Sequence, residues 1–321
     1  MLTGAAGVVG GLLCGWAFLM PDSRFLVVIT DCDFEMPPVI EQAELDSIGA
    51  KLVVEQCKTE DDVIEKACDA DGLLEQYVPI TARVVDALSR CKVIVRYGTG
   101  MDPIDVAAAT DRGMVVSNVR GYQIGEVADH TMGLMLALAR HIVVLNDSVQ
   151  QGLWDATRVA EGMERIEGQT LGLVGFGATA QAVALRSRAF GLRVIAHSPR
   201  VPDSIFLAAD VERVPFDDLL RQSDFVSVHT PLRQQTFHLI GAEEFEVMKP
   251  TAYLINTARG AIVDNDALAR VLASGHIAGA GLDVTEEEPL PADSPLRDAP
   301  NLIVTPHGGF YSRTSLKTLR R

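Results

Sequence analysis

Residues 165–200 read RIEGQTLGLVGFGATAQAVALRSRAFGLRVIAHSPR, and the fold class follows from this stretch. Leu171, Leu173 and Val174 make a short apolar run that enters Gly175-Phe176-Gly177-Ala178-Thr179-Ala180. Ala182, Val183, Leu185 and Ala189 then recur at helical spacing, and Leu192–Ala196 is a second apolar run. The order is strand, glycine turn, helix, strand. In such a unit Gly175 permits the tight turn, Gly177 lets backbone approach a pyrophosphate, and the small Ala180 lets helix close on sheet. The unpaired N–H groups at the start of the helix attract phosphate. The competing reading of the same residues is a doubly wound sheet that binds no dinucleotide.

The rest of the chain continues this alternation. Upstream, Phe25–Thr30, Lys51–Val54, Gly72–Leu74, Lys92–Arg96 and Met114–Ser117 are apolar strand-like runs. Helical patterns lie between them over Val39–Ile48, Thr59–Ala67, Thr81–Leu88 and Ile104–Thr110. Asn118–Gly125 suits a hinge, Glu126–Leu145 predicts one long Ala-, Leu- and Met-rich helix, and the polar stretch 146–168 with Trp154 predicts an exposed arm. Met132 and Met135 read as core or dimer packing rather than a ligand site. Downstream, strands are expected at Phe225–His229, Ala252–Asn256, Ala278–Val284 and Leu302–Thr305, with helices over Phe216–Gln222, Gly241–Met248 and Asn265–Ser274. Near-continuous apolar strands separated by helices mean parallel sheets covered on both faces. The expected fold is therefore α/β, with two Rossmann-like or flavodoxin-like doubly wound parallel-sheet domains and a cleft between them. Residues 22–119 form the substrate-binding (catalytic) domain, with 312–321 a candidate for completing it, and 120–311 the dinucleotide-binding domain.

Bulk properties narrow the function. The 321 residues allow two ordinary domains, and 48% hydrophobic with 22% charged residues describes a globular chain. Acidic residues (43) exceed Lys plus Arg (28), giving a net charge of −15, so no nucleic-acid backbone is expected as a partner. Five cysteines without CxxC spacing read as free thiols in a reducing, cytoplasmic compartment. Residues 1–21 are uncharged and apolar but lack the basic start of a signal peptide. They read as an N-terminal extension rather than a membrane anchor, and GAAGVVGG within them follows no strand.

Four strand ends in the second half carry polar groups that a structural sheet does not require: His229-Thr230-Pro231, Thr257-Ala258-Arg259-Gly260, Asp283 with Glu288, and Pro306-His307-Gly308-Gly309. They suit hydride transfer to a carbonyl. A protonated His307 can donate to the carbonyl oxygen, a carboxylate such as Glu288 beside it would favour imidazolium, and Arg259 offers a donor fork for a substrate carboxylate. No metal-ligand spacing and no nucleophile elbow accompany them. In the first half, Gln76, Tyr77, Arg96 and Gly98 fall at strand ends and are candidate substrate contacts; for Arg96 a surface ion pair is the plainer alternative.

At these residues the chain resembles the D-isomer-specific 2-hydroxyacid dehydrogenase family, within it the branch of C-terminal-binding-protein-like members. The resemblance runs from about Phe25 to Tyr311 through VRYGTGMDPIDVAAA at Val95, EVADHTMGLMLALAR at Glu126, LGLVGFGATAQAVALR at Leu171, LINTARGAIVDNDAL at Leu254, GLDVTEEEPL at Gly281 and NLIVTPHGG at Asn301. It implies that Arg259, Glu288 and His307 are the catalytic trio. It also implies cofactor contacts from Thr99, Gly175, Gly177, Ala178, Thr179, Ala180, Thr230, Pro231, Thr257, Ala258 and Asp283, and a homodimer through the dinucleotide-binding domain. Ala180 stands where a third glycine is usual, and Pro103 and Arg120 stand where Asn and Pro are expected. Ser198 replaces the acid that NAD enzymes of this type place on the ribose, and Arg200 could pair with a 2′-phosphate, so NAD and NADP are both expected cofactors. The chain stops at Arg321, where the family's returning helix begins. The expected activity is an oxidoreductase interconverting 2-oxo and D-2-hydroxy acids; a dinucleotide-sensing binding protein and an inactive homologue are the alternatives.

Overall fold

A computed structural model describes residues 24–33 and 37–321; the apolar extension 1–21 expected above, with Cys14, lies outside the described residues. The chain divides into two compact units.

The first unit comprises the described residues up to Arg96 together with Pro103–Ser117. Its chain runs β1 (Phe25–Ile29), α1 (Val39–Asp46), β2 (Ala50–Val54), α2 (Glu60–Ala67), β3 (Gly72–Glu75), α3 (Ala82–Ala87), β4 (Val93–Arg96), α4 (Val106–Asp111) and β5 (Val115–Asn118). The sheet order is β2-β1-β3-β4-β5, with β1 paired parallel to β2 and β3, and β3 parallel to β4. This is the flavodoxin-like arrangement, whose reversal of strand order lies between β1 and β3. Local chemistry sets its helix starts. Thr59 accepts from the Asp62 N–H while Asp62 accepts from the Thr59 N–H, a reciprocal cap that starts α2, and Asp105 caps α4 through Ala108.

The second unit holds 97–102 and 118–321. It begins with α5 (Ile124–Ala139), α6 (Ile142–Gln150) and α7 (Ala156–Val159), followed by β6 (Thr170–Val174), α8 (Ala178–Arg188), β7 (Arg193–His197), α9 (Asp203–Ala209) and β8 (Glu212–Arg213). It continues through α10 (Phe216–Gln222), β9 (Phe225–Val228), α11 (Ala242–Val247), β10 (Tyr253–Asn256), α12 (Asn265–Ser274), β11 (Gly279–Leu282), β12 (Leu302–Val304) and α13 (Arg313–Leu319). The seven strands are ordered β8-β7-β6-β9-β10-β11-β12, all adjacent pairs parallel, so order reverses between β6 and β9. Two cores cover the sheet. Ala128, Met132 and Met135 of α5 pack with Ala180, Val183 and Ala184 of α8 over Leu171, Leu173 and Phe225, while Leu219, Phe245 and Leu268 cluster with Val226, Leu254 and Leu282.

Three segments differ from expectation. The helix predicted over Glu126–Leu145 is two helices bent by 60°, because Arg140 leaves helical geometry and His141 adopts φ +49. The polar arm 146–168 is partly helical: it contains the end of α6 and all of α7, which Asp155 caps through the Arg158 N–H, although Trp154 is 90% exposed as its composition suggested. Helix α9 and edge strand β8, a two-residue element, carry no clear pattern in the sequence. Two further segments join the second unit for visible reasons. The loop 97–102 is tied to it by bonds from Val119 N–H to the Gly98 carbonyl and from Asn118 Nδ2 to the Thr99 carbonyl. The closing segment, weighed above as part of the first domain, joins it through Ser312, whose hydroxyl donates to Glu126. Among the described residues no single helix is long and apolar enough to cross a membrane.

Candidate active site

The glycine turn between β6 and α8 is shaped by its neighbours. Gly175 has φ +97, and a side-chain carbon there would stand 2.7 Å from the His229 carbonyl oxygen and 2.9 Å from the Thr230 nitrogen, so only glycine fits. The same contact sets Thr230 and Pro231, at the end of β9, beside the turn. Gly177 is the N-cap of α8, has open space where a side chain would be, and provides no side-chain cap, so the first turn of an eleven-residue helix presents backbone N–H groups. Ala178 is exposed, Thr179 half-buried, and Ala180 fully buried in the α5–α8 contact, which explains why a residue with one methyl group suffices at the third position. Ser198, half-buried, and Arg200, exposed, follow directly after β7. An open cradle over an uncapped helix start at the strand-order reversal fits a dinucleotide pyrophosphate. Desolvation holds the imidazole of His229 down at about 4 and therefore neutral, so it is no proton donor at neutral pH.

Arg259, Glu288 and His307 follow β10, β11 and β12. His307 Nδ1 lies 2.7 Å from Glu288 Oε2, both side chains being 38% exposed, and the other Glu288 oxygen accepts from the Thr285 N–H at 3.1 Å. Arg259 is linked to the same loop: at Gly260, next to it, a side-chain carbon would fall on the Thr285 carbonyl, so backbone meets backbone. The buried Asn256 side chain fixes the approach to Arg259, accepting from the Ala258 N–H and donating to the Arg259 carbonyl. Thr257 exchanges a 2.8 Å hydroxyl bond with Thr131 of α5.

Asp283 is 3% exposed and organises the His307 loop. It accepts from the Gly308 and Gly309 N–H groups and from the Thr305 hydroxyl, while its backbone carbonyl accepts from the His307 N–H. These bonds hold His307 at φ +51, a left-handed conformation that is uncommon for a residue with a side chain. Burial alone would raise the Asp283 pKa, but hydrogen bonds from His130, Thr305 and Gly309 outweigh it and hold the carboxyl below its ordinary range. His130, on α5, lies 3.3 Å from Asp283 and 2.8 Å from the Thr305 hydroxyl; the Asp283 bond raises its pKa against the opposing effect of burial.

The remaining sequence candidates sit as follows. Thr99 accepts from Gln123 Nε2 and donates to the Val119 carbonyl, so its hydroxyl is engaged within the second unit, and Gly98 is buried beside it. In the first unit, Gln76 is 2% exposed and its amide exchanges bonds with Asp33. Its side chain is thus engaged within the first unit. Tyr77 is 46% exposed, and its backbone N–H, with those of Gln76 and Val78, is held by the buried carboxylate of Asp31. Arg96 is not the surface ion pair considered above: its Nε lies 3.7 Å from Glu75, whose side chain is fully buried. Asp31, Glu75, Asp102, His130 and Asn256 hold these groups in place without standing out as candidates in the sequence. Asp31, Glu75 and Asn256 at least share a visible signal, a polar residue at the carboxyl end of an apolar strand. No group of His, Cys, Asp and Glu among the described residues could hold a metal ion.

The family model for the D-isomer specific 2-hydroxyacid dehydrogenase NAD binding domain matches residues 132–309. A glyoxylate reductase from Korarchaeum cryptofilum (strain OPF8) is 40% identical over 254 residues, which is 78% of this chain and 76% of that protein. Among solved structures, a D-lactate dehydrogenase from Aquifex aeolicus complexed with NAD and lactic acid matches with a TM-score of 0.82 at 28% identity, covering 92% of each chain. An acyclic imino acid reductase in complex with NADPH and D-Arg matches with a TM-score of 0.83 at 26% identity, over 92% of this chain and 93% of that one.

Proposed function

The chain belongs to the D-isomer-specific 2-hydroxyacid dehydrogenase family and is accordingly an NAD(P)-dependent oxidoreductase interconverting 2-oxo and 2-hydroxy acids; we propose that Arg259, Glu288 and His307 carry this reaction on the D isomer. The observation that carries the assignment is the 2.7 Å bond between His307 Nδ1 and Glu288. It leaves Nε2 as the ring nitrogen that exchanges a proton with substrate. His307 then donates that proton to the oxygen of a 2-oxo acid during reduction and accepts it back during oxidation. Glu288 fixes the orientation of the ring through its bond to Nδ1, while Arg259 holds the substrate carboxylate through its guanidinium fork. Gly175, Gly177–Ala180, Thr230 and Pro231 would hold the dinucleotide, with Thr257, Ala258 and Asp283 at the strand ends beside them; when bound it supplies or accepts the hydride. Absorbance at 340 nm with glyoxylate, pyruvate and hydroxypyruvate, each with NADH and NADPH, tests the assignment. Turnover is expected with at least one pair, and cofactor binding without any turnover overturns it.

Either dinucleotide is accommodated because no acid follows β7 at position 198 to repel a 2′-phosphate. Ser198→Asp should therefore lower kcat/KM for NADPH relative to NADH by about tenfold or more, equivalent to ~1.4 kcal/mol of binding in the transition state. An unchanged ratio would place the ribose elsewhere.

The second unit also presents exposed apolar residues on and beyond α6: Ile142, Val143, Val144, Val149, Leu153 and Trp154. A cluster of this kind supports association with a second copy of the chain, the homodimer that the family resemblance implies. Val144→Asp combined with Trp154→Glu is expected to convert a dimer to a monomer by light scattering, and a monomeric parent protein would refute this reading. Among the described residues Cys32, Cys57, Cys68 and Cys91 take part in no disulfide, which supports a reducing, cytoplasmic location.

A further inference from the structure

We propose that Asp102 is a positioning residue that aims Arg259 at the substrate carboxylate; this rests on the role assigned to Arg259 above. Asp102 lies in the 97–102 loop, which belongs to the same compact unit as Arg259. Its Oδ2 accepts from Arg259 Nε at 2.8 Å across 157 residues of sequence, and Arg259 Nη1 donates to the Ala258 carbonyl at 2.7 Å. A guanidinium has five N–H donors in one plane. With Nε engaged by Asp102 and one Nη1 proton by Ala258, one proton on Nη1 and two on Nη2 remain. That leaves a pair of donors on adjacent terminal nitrogens, the set that a carboxylate accepts bidentately.

The loop has also made room for the guanidinium. A side-chain carbon at Gly100 would overlap Arg259 Nη2, stand 2.8 Å from Cζ, and stand 2.7 Å from the Asp102 carboxylate. Glycine at 100 and an acid at 102 thus act together: one leaves space for the planar group, the other fixes its rotation within that space. Both partners are partly exposed, Arg259 at 29% and Asp102 at 40%, so the pair contributes little to folding stability and its effect is geometric. An arginine on a long, rotamer-rich side chain loses less entropy on binding substrate when its orientation is already fixed.

Steady-state kinetics with a 2-oxo acid substrate distinguish this from a structural role. Asp102→Ala should raise KM for the 2-oxo acid about tenfold, while KM for the reduced cofactor, melting temperature and, within threefold, kcat stay unchanged. Asp102→Asn should restore most of the loss, because an amide oxygen still accepts from Nε. Gly100→Ala should mimic Asp102→Ala by displacing the guanidinium. In an Arg259→Lys background, whose ammonium has no Nε–H fork, Asp102→Ala should have no further effect on KM. If Asp102→Ala leaves KM for the oxo acid unchanged while Arg259→Lys raises it, the positioning role is wrong and the role of Arg259 stands. If Arg259→Lys itself leaves that KM unchanged, the role of Arg259 fails and the inference falls with it. Equal loss for oxo acid and cofactor, or full additivity of the two substitutions, also overturns it.

Discussion

Replacing His307 by Gln lowers kcat for 2-oxo acid reduction by about 10²–10⁴-fold, the range in which a positioned general acid acts, or ~3–5 kcal/mol of barrier. Glutamine can still donate an amide N–H to the Glu288 carboxylate but has no proton to give up near neutral pH. The variant's rate should therefore lose the pH dependence that an imidazole imposes. Dinucleotide binding, followed by quenching of protein fluorescence, should be unchanged, since the glycine turn and the start of α8 lie on a different loop. Glu288→Gln should cost less than the loss of the imidazole, because the ring remains and an amide oxygen can still accept from Nδ1 and keep it oriented. If His307→Gln retains parental kcat, the proton comes from another group. Loss of cofactor binding together with activity would mean that the 305–309 loop had collapsed. Asp283→Asn separates the two cases, since it should disturb the loop by weakening the bonds to Thr305, Gly308 and Gly309 while the chain keeps a histidine at position 307.

Much of this site is legible in the chain because catalytic and cofactor groups in an open parallel sheet gather at the carboxyl ends of strands. Once β6, β9, β10, β11 and β12 are recognised as apolar runs, the residues just after them form one short inventory. His307, Glu288, Arg259 and Thr230 fall into it by position alone. The groups that hold them do not. Asp102 and His130 lie on a loop and on the flank of a helix, and their partners, Arg259 and Asp283, are 157 and 153 positions away, a pairing that no periodicity encodes. The break at His141 is missed for a similar reason. Ala139, Arg140, His141 and Ile142 are all compatible with helix, and the residue that leaves helical geometry is neither Gly nor Pro. Edge strand β8 is too short to show alternation. Gln76 illustrates the limit in the other direction: its place at a strand end is legible in the chain, but whether its amide faces outward or bonds back to Asp33 depends on a turn that only three-dimensional structure reveals.

The first unit should grow less stable as pH rises from about 5 to about 8, and Glu75 supplies the reason. This residue ends β3, in register with Arg96 at the end of β4. Its side chain is fully buried and neither carboxyl oxygen has a hydrogen-bond partner among the described residues, while Arg96 Nε stands 3.7 Å away. Desolvation is the dominant influence and Asp31 adds to it; Arg96 opposes both, and the net result pushes the Glu75 pKa from 4.5 up to about 8. The folded chain thus holds this proton across a range where the unfolded chain has released it. Folded stability is greatest below the unfolded value and falls as pH climbs towards the folded one, by an amount on the order of 4 kcal/mol. Glutamine is the near-isostere of the protonated acid. Glu75→Gln should match the parent at pH 5 and exceed it in melting temperature at pH 8, the gap widening steadily between. His130, whose pKa is also raised, loses its contribution in the same direction, but it is present in both proteins and cancels in the comparison. Calorimetry of the two proteins at half-unit pH intervals measures the difference. Parallel curves would mean that Glu75 is ionised and paired with Arg96 throughout, so that the attraction between the two charges outweighs the loss of hydration at the centre of the sheet.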